Sequence, residues 1–416
     1  MSDWKTVPLA SLVENLDSRR VPVKQSERQI GSYPYYGASG IVDWVGGYLF
    51  DGEHLLVAED GENLNSRNLP IAFRATGKFW VNNHAHILKG PPHLLRFLEH
   101  YLNNLDVAGW VTGSAQPKLT QGNLNSIPIN LPTDLNELEA IAKILAALDD
   151  KIELNRRTNQ SLEELALALF RSWFVDFDPV VAKAAGRKPA HIRPEIASLF
   201  PAKFQDSELG LIPQGWRARS VTEVVEFNPV RRLAKGQPAP YLDMKNVPTN
   251  SALPEDWAIR PHGSGMKFQN GDTLLARITP CLENGKTAFV NALADGEVGW
   301  GSTEYIVIQP IPPLPAEYGY LLARSDDFRA HAISNMTGSS GRQRVPVNCF
   351  DKYLVTEPPS EIAGAFGKIV APFMRMMKAN VEESRTLVAL RDTLLPKLLS
   401  GELRVKQAEK LVEVKL

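Results

Sequence analysis

Cysteine is nearly absent: Cys281 and Cys349 are the only two in 416 residues, and they lie far apart. Neither a disulfide framework nor a Cys-x-x-Cys metal pair can be built from them, so a reducing cytoplasm is the expected compartment. No apolar run approaches the roughly 18 residues of a membrane span. The opening Met1-Ser2-Asp3-Trp4-Lys5 lacks the basic-then-apolar design of a signal peptide. Neither sign of charge is in excess. A formal net charge of −1 is unlike a lone nucleic-acid binder, which carries a basic surplus. DNA as a target therefore requires a partner that neutralises phosphates. Catalytic motifs are also missing: there is no GxxxxGK[ST], no well-placed GxGxxG and no GxSxG. Asn228-Pro229-Val230 and Asp178-Pro179-Val180 fail the Asn/Asp-Pro-Pro-aromatic pattern of amino-methyltransferases at its third and fourth positions. His84-Ala85-His86 places two imidazoles on one strand face, but no third ligand lies within sequence reach, so no metal is expected. Alone, the chain is expected to catalyse nothing.

The chain contains its own copy. Lys143-Ile144-Leu145 and Lys368-Ile369-Val370 open two long periodic runs 225 positions apart. At that offset Asn155 falls on Asn380, Leu162 on Leu387, Leu165 on Leu390 and Leu169 on Leu394, and Thr112-Gly113-Ser114 on Thr337-Gly338-Ser339. Upstream, Gly52-Glu53-His54-Leu55-Leu56 matches Gly271-Asp272-Thr273-Leu274-Leu275 at offset 219. Trp4 pairs with Trp216, and Leu12-Val13-Glu14 with Val224-Val225-Glu226. A repeat of half the chain means duplicated domains, not solenoid units. The 44% hydrophobic content is enough for a core in each. A pseudo-twofold molecule suits a two-part target.

Short apolar runs with Gly, Asn and Pro punctuation read as strands and loops over residues 1–131, with a helix at Pro92 to Asn103. A long helix starts near Thr133, after Pro132 and with Asp134 and Glu137 in its first turn, and continues to about Phe174. Its apolar positions Ile141, Leu145, Leu148, Ile152, Leu162 and Leu169 follow the 3-4 spacing of a coiled-coil seam, interrupted by Asn155 and Asn159. A second helix, from about Ser360 to Ser400, carries Phe366, Val370, Phe373, Met377, Asn380, Ser384, Leu387 and Leu394 in the same register. Matching length, register and polar interruption predict that the two helices pair, antiparallel because the chain must return. Forty helical residues span about 60 Å. Pro372 predicts a kink or a late start. The fold class is thus α+β: two mixed globular domains separated by two long helices. The expected boundaries are a first domain over 1–131 and a helix with the start of a linker over 132–178. A surface linker over 179–206 precedes a second domain over 207–357. A second helix over 358–405 and a charged tail over 406–416 complete the chain.

Several segments resemble one family. Ser207-Glu208-Leu209-Gly210-Leu211-Ile212-Pro213-Gln214-Gly215-Trp216 looks like the opening of a target recognition domain in the specificity subunits of type I restriction–modification enzymes. Tyr33-Pro34-Tyr35-Tyr36-Gly37-Ala38-Ser39-Gly40, Thr112-Gly113-Ser114-Ala115-Gln116-Pro117-Lys118 and Leu274-Leu275-Ala276-Arg277-Ile278-Thr279-Pro280 are similar to the same family. So is Leu394-Leu395-Pro396-Lys397-Leu398-Leu399-Ser400-Gly401-Glu402-Leu403. The resemblance implies that each domain reads one half of a bipartite double-stranded DNA target. It implies that the paired helices set the spacing and dock two methyltransferase subunits, which bind S-adenosylmethionine. Separate restriction or motor subunits would translocate and cut DNA. A coiled-coil adaptor without DNA specificity and a chain with cryptic catalysis are the competing classes.

Base readout needs Arg, Lys, Asn, Gln, Ser or Thr at groove edges. The candidates in the first domain are Tyr35, Tyr36 and Ser39 in a Gly-bounded turn, Asn82, Asn83 and His84 after Phe79-Trp80, and Ser114, Gln116 and Lys118 in a loop. In the second they are Arg277 and Thr279, Ser302 and Thr303, and Arg342, Gln343 and Arg344. Leu145, Leu148, Ile152, Asn155, Leu162, Phe373, Met377, Asn380 and Leu387 are expected to form the helix seam. Trp173, Phe174, Leu398 and Leu399, at the far helix ends, are candidates for packing against the opposite recognition domain or a methyltransferase, with core packing the favoured expectation.

Overall fold

Alternating apolar residues form strands wherever Gly, Pro and Asn punctuate the chain. The computed structural model describes residues 4–113, 116–339 and 341–413. They form two units, residues 1–152 with 386–416, and residues 153–385.

The first unit begins with β1 (Trp4–Pro8), β2 (Glu14–Asn15), β3 (Ile30–Gly37), β4 (Gly40–Val45), β5 (Phe50–Asp51) and β6 (His54–Ala58). There follow α1 (Asn63–Ser66), β7 (Ala72–Ala75), β8 (Lys78–Val81), β9 (Ala85–Lys89), α2 (Pro92–Asn104), α3 (Gln121–Ser126) and β10 (Pro128–Pro132). The unit also takes the first part of α4 (Leu135–Phe174). One sheet has the order β2-β9-β6-β7 and another β4-β3-β8-β5, with β1 and β10 paired separately. Strand β6 is buried on both faces. Leu55 and Val57 enter a core shared with helical residues Leu95, Leu145 and Leu148, while Leu56 packs with Phe79 and Ile87 between the sheets.

The second unit repeats this plan. It contains α5 (Asp178–Ala184), α6 (Pro194–Leu199), the hairpin β11 (Phe204–Ser207) and β12 (Gly210–Pro213), β13 (Arg217–Ser220), α7 (Val221–Val224) and β14 (Val225–Phe227). It continues through β15 (Pro238–Leu242), β16 (Ala258–Pro261), β17 (Lys267–Phe268), β18 (Thr273–Ala276), β19 (Thr287–Phe289), β20 (Gly299–Gly301) and β21 (Tyr305–Pro310). Helices α8 (Ala316–Arg324) and α9 (Asp326–Ser334), strand β22 (Leu354–Glu357) and the first part of α10 (Ser360–Leu399) complete it. Its sheets run β14-β21-β18-β19 and β16-β15-β20-β17, with β13 paired to β22. Strand for strand, these are the orders of the first unit.

Both long helices have 40 residues, and within each unit their segments pack antiparallel. In the first, Leu387, Leu394 and Leu398 share a core with Leu138, Ile141, Leu145 and Leu148, and Arg391 binds Asp149 at 3.0 Å. In the second, Asn155 Nδ2 donates to Glu383 Oε2 at 2.7 Å, Asn380 Nδ2 to Asn159 Oδ1 at 2.8 Å, and Asn159 Nδ2 to the Met377 carbonyl at 3.3 Å. The seam asparagines thus bond across the pair, while Leu145, Leu148, Met377 and Leu387 are buried. Ile152, Leu162 and Phe373 are half-buried against the same cores. Trp173, Phe174, Leu398 and Leu399 are buried as well.

Three expectations need correction. Helix α10 begins at Ser360, well before Pro372, so the proline causes no late start. The stretch 179–206 is more than a surface linker: it holds α6 and most of α5, and buries Val180 and Phe200 beside Trp173. The described part of the charged tail lies in a helix, α11 (Val405–Glu413), which folds onto the first unit by burying Ala408 and Val412. Its apolar stripe is too narrow to outweigh its charge in composition.

Candidate nucleic-acid interface

In the first unit three segments meet where β6 ends: Glu59-Asp60, the turn Asn82–His84 and the loop closed by Thr112 and Lys118. Backbone bonds fix the corner. The Glu59 amide donates to the His84 carbonyl at 2.9 Å, the Leu119 amide to the Glu59 carbonyl at 2.8 Å, and Gly61 to Pro117 at 3.1 Å. Thr112 and Lys118 exchange amide–carbonyl bonds at 2.8 and 2.7 Å. Asn82 Oδ1 accepts from the His84 amide at 2.8 Å and so shapes the turn.

The second unit builds the same corner with other residues. The Arg277 amide donates to the Glu304 carbonyl at 2.9 Å, Val345 to Arg277 at 2.9 Å and Thr279 to Gln343 at 3.0 Å. Thr337 and Arg344 exchange bonds at 2.9 and 2.8 Å. Ser302 Oγ accepts from the Glu304 amide at 3.1 Å, taking the part of Asn82. By these bonds His84 corresponds to Glu304, Glu59 to Arg277 and Lys118 to Arg344.

The scaffold is conserved between the corners and the chemistry is exchanged. In the first, His84 Nδ1 meets Asp60 Oδ2 at 2.8 Å and Lys118 Nζ meets Glu59 at 3.1 Å. In the second, Arg344 binds Glu304 through Nε and Nη2 at 2.7–2.9 Å, and this contact holds the Arg344 guanidinium above its ordinary pKa. Arg277 is half-buried, and its Nε has no hydrogen-bond partner among the described residues. Asn83, His84, Gln116, Lys118, Thr303, Arg342 and Arg344 are exposed, so the corners bring together most of the candidates. Ser39 is exposed at the β3–β4 turn. Ser114 lies outside the described residues.

Three candidates do not face solvent as a reader must: Asn82 is buried beneath the turn it shapes, and two tyrosines lie in the sheet. Tyr35 is fully buried, its hydroxyl accepting from the Val23 amide at 3.1 Å and its ring lying under Arg28. Tyr36 packs edge-on to Phe79 and beside Phe73. Both belong to β3, inside the pleat and not in an open turn. Nor do the two histidines share a face: His84 is exposed and His86 is buried.

His86 belongs to a cluster that sequence spacing could not reveal. Its Nδ1 lies 2.5 Å from Asp17 Oδ2 and its Nε2 2.7 Å from the Leu119 carbonyl, with Glu59 alongside. Arg20 binds Glu59 at 2.5 Å and Asp17 at 3.5 Å. Burial pushes the Glu59 carboxyl up, but its bonds to Arg20 and Lys118 outweigh this and leave it below its ordinary value. Asp17, Glu59 and His86 lie close enough to share a metal ion. Two cations already compensate the carboxylates, so the arrangement works as an ion-paired base for the corner. The duplication does not signal this cluster, because it pairs the anchored Arg20 with an exposed arginine. The offset of 212 that pairs Trp4 with Trp216 also pairs Arg19-Arg20 with Arg231-Arg232. Arg231 is anchored to Asp272 at 2.8 Å, while Arg19 and Arg232 are exposed.

The chain is thus a duplicated sheet domain with one fixed corner and exchanged side chains, each copy joined to a long helix. A family model described as type I restriction modification DNA specificity domain matches residues 1–164. A Haemophilus influenzae protein that carries the name of a type I restriction enzyme specificity subunit, S.HindORF215P, is 44% identical over 147 residues, 35% of this chain and 37% of that one. The HindI type I specificity subunit of the same organism is 26% identical over 337 residues, 69% and 71% of the two chains. The type I restriction–modification S subunit from M. genitalium shares the fold, with a TM-score of 0.57 at 15% identity over 95% of this chain and 96% of that one. The chain is thus similar to type I restriction–modification specificity subunits, and its residues 1–164 match their DNA specificity domain. It spans just over a third of the length of the first of these relatives.

Proposed function

We propose that this chain selects the DNA sequence on which a type I complex acts, each unit reading one half of a bipartite target. The observation that carries this is the pair of corners, with equivalent backbone bonds and different polar side chains. That is what two readers of different sequences require. The long helices act as the ruler between the halves and dock two methyltransferase subunits, which bring S-adenosylmethionine. The chain itself catalyses nothing and works in the cytoplasm. The near-zero net charge supports a shared grip on the phosphates, because a reader working alone would need its own cationic surplus. Among the described residues no helix is long and apolar enough to cross a membrane.

The test is to express the chain with its methyltransferase in a host lacking adenine methylation and to map every modified adenine. One motif of two short halves with a fixed gap is expected. A stable complex that leaves DNA unmodified would refute the reading and favour an adaptor.

A further inference from the structure

In each unit the second sheet ends on an open edge, β4 in the first and β16 in the second. Natural edges are normally blunted by charge or cover. These instead expose large apolar side chains at one equivalent position. Trp44, 50% exposed, stands opposite Pro34; Ile259, 69% exposed, stands opposite Pro240. The equivalence follows from the ladders. Tyr35 and Tyr241, next in sequence to those prolines, each pair in parallel with a tryptophan, Trp80 or Trp300. Each tyrosine ring also lies 4.4 Å from an arginine, Arg28 or Arg260. Beside Trp44, a register shift leaves Val42 without a ladder partner and 54% exposed.

Cations rim these edges. The loop with exposed Arg232 and Lys235 is tied to the end of β16, since the Gly236 amide donates to the His262 carbonyl and the His262 amide to Gln237. In the first unit exposed Lys24 adjoins Val23, which is bonded to the Tyr35 hydroxyl. Two acids beside these edges face arginines: Asp43 binds Arg28 at 2.9 Å, and Asp243 lies 4.0 Å from Arg260, while exposed Glu255 and Asp256 precede β16. The edge is also continuous with the corner, because the Asn82 amide donates to the Tyr36 carbonyl at the end of β3. An apolar ridge between cations matches a duplex groove, with phosphates on its walls and thymine methyl groups on its floor. The major groove admits a two-stranded ribbon.

We infer that the β3–β4 and β15–β16 ribbons enter the major groove and that Trp44 and Ile259 each contact a thymine 5-methyl group, one in each half of the target. This rests on the DNA-reading function proposed above. The test uses the complex with its methyltransferase and duplexes carrying the mapped motif. In these, single thymines are replaced by deoxyuridine, which keeps every base-pair hydrogen bond and removes one methyl. Wild-type binding should weaken about fourfold at one thymine in each half. Trp44→Ala should abolish that sensitivity in one half only, and Ile259→Ala in the other. Both side chains are exposed, and the wild-type measurement needs no variant, so misfolding cannot imitate the result. Indifference of the wild type to deoxyuridine would overturn the inference while leaving the bipartite motif intact. So would variants that keep the sensitivity, weaken binding to all sequences alike, or lose only self-association. Absence of any motif from the wild type would remove the underlying reading as well.

Discussion

Removing the Tyr320 hydroxyl tests how the second unit holds its own helix. Tyr320 on α8 is fully buried and donates to Glu163 Oε1 on α4 at 2.6 Å. Arg324 Nε lies 3.3 Å from the same oxygen, but without hydrogen-bond geometry. Tyr320→Phe keeps the ring and its packing and takes away the one well-formed bond to this buried carboxylate among the described residues. A hydrogen bond to a charged group contributes about 1.5–3 kcal/mol, and a buried charge left without it belongs at the upper end, about 3 kcal/mol. Glu163→Leu strands the hydroxyl instead and should cost about 2 kcal/mol. The double variant removes both polar partners, so its cost should fall short of the sum by about 2 kcal/mol. Urea denaturation followed by circular dichroism measures all four proteins, with midpoints shifting by roughly 1 M for 3 kcal/mol. Additive costs, or a Tyr320→Phe midpoint equal to wild type, would refute the reasoning.

Three further outcomes follow from the same kind of argument. Burial raises the Asp17 carboxyl, but the hydrogen bond and charge of His86, with the Ile87 amide and Arg20, outweigh it and hold it below its ordinary value. A depressed acid contributes stability that is present above its unfolded pKa of about 3.9 and lost as pH falls through the folded value. Asp17→Asn should therefore flatten the acid limb below about pH 4 in urea midpoints taken from pH 7 to pH 2; an unchanged slope would show that the ion pair adds nothing. Arg344→Ala should relax one half of the methylation motif, with discrimination there falling about tenfold and the gap unchanged; a uniform loss across sequences would make Arg344 a phosphate contact. Val412→Asp should cost at least about 2 kcal/mol in thermal melts by undocking α11, whereas a free tail would tolerate it.

The sequence by itself determined the duplication, both long helices and the seam asparagines, because helical periodicity is local and recurs at a constant offset. It also located most of the corner residues, since polar side chains between strand-like runs mark loops. The tertiary structure decided which of them face outward. Tyr35 and Tyr36 sit in a Gly-bounded run that reads as a turn, yet pairing of β3 with β4 on one side and β8 on the other places the Tyr35 ring in the interior. Asp17, Glu59 and His86 meet because β9 pairs with β2 on one side and β6 on the other, contacts that no spacing rule reaches. Likewise α11 buries only Ala408 and Val412, too little apolar surface to announce a docked helix amid its charges. The equivalence of the two corners rests on backbone bonds between segments distant in sequence. Their side chains differ, so only the folded chain could align them.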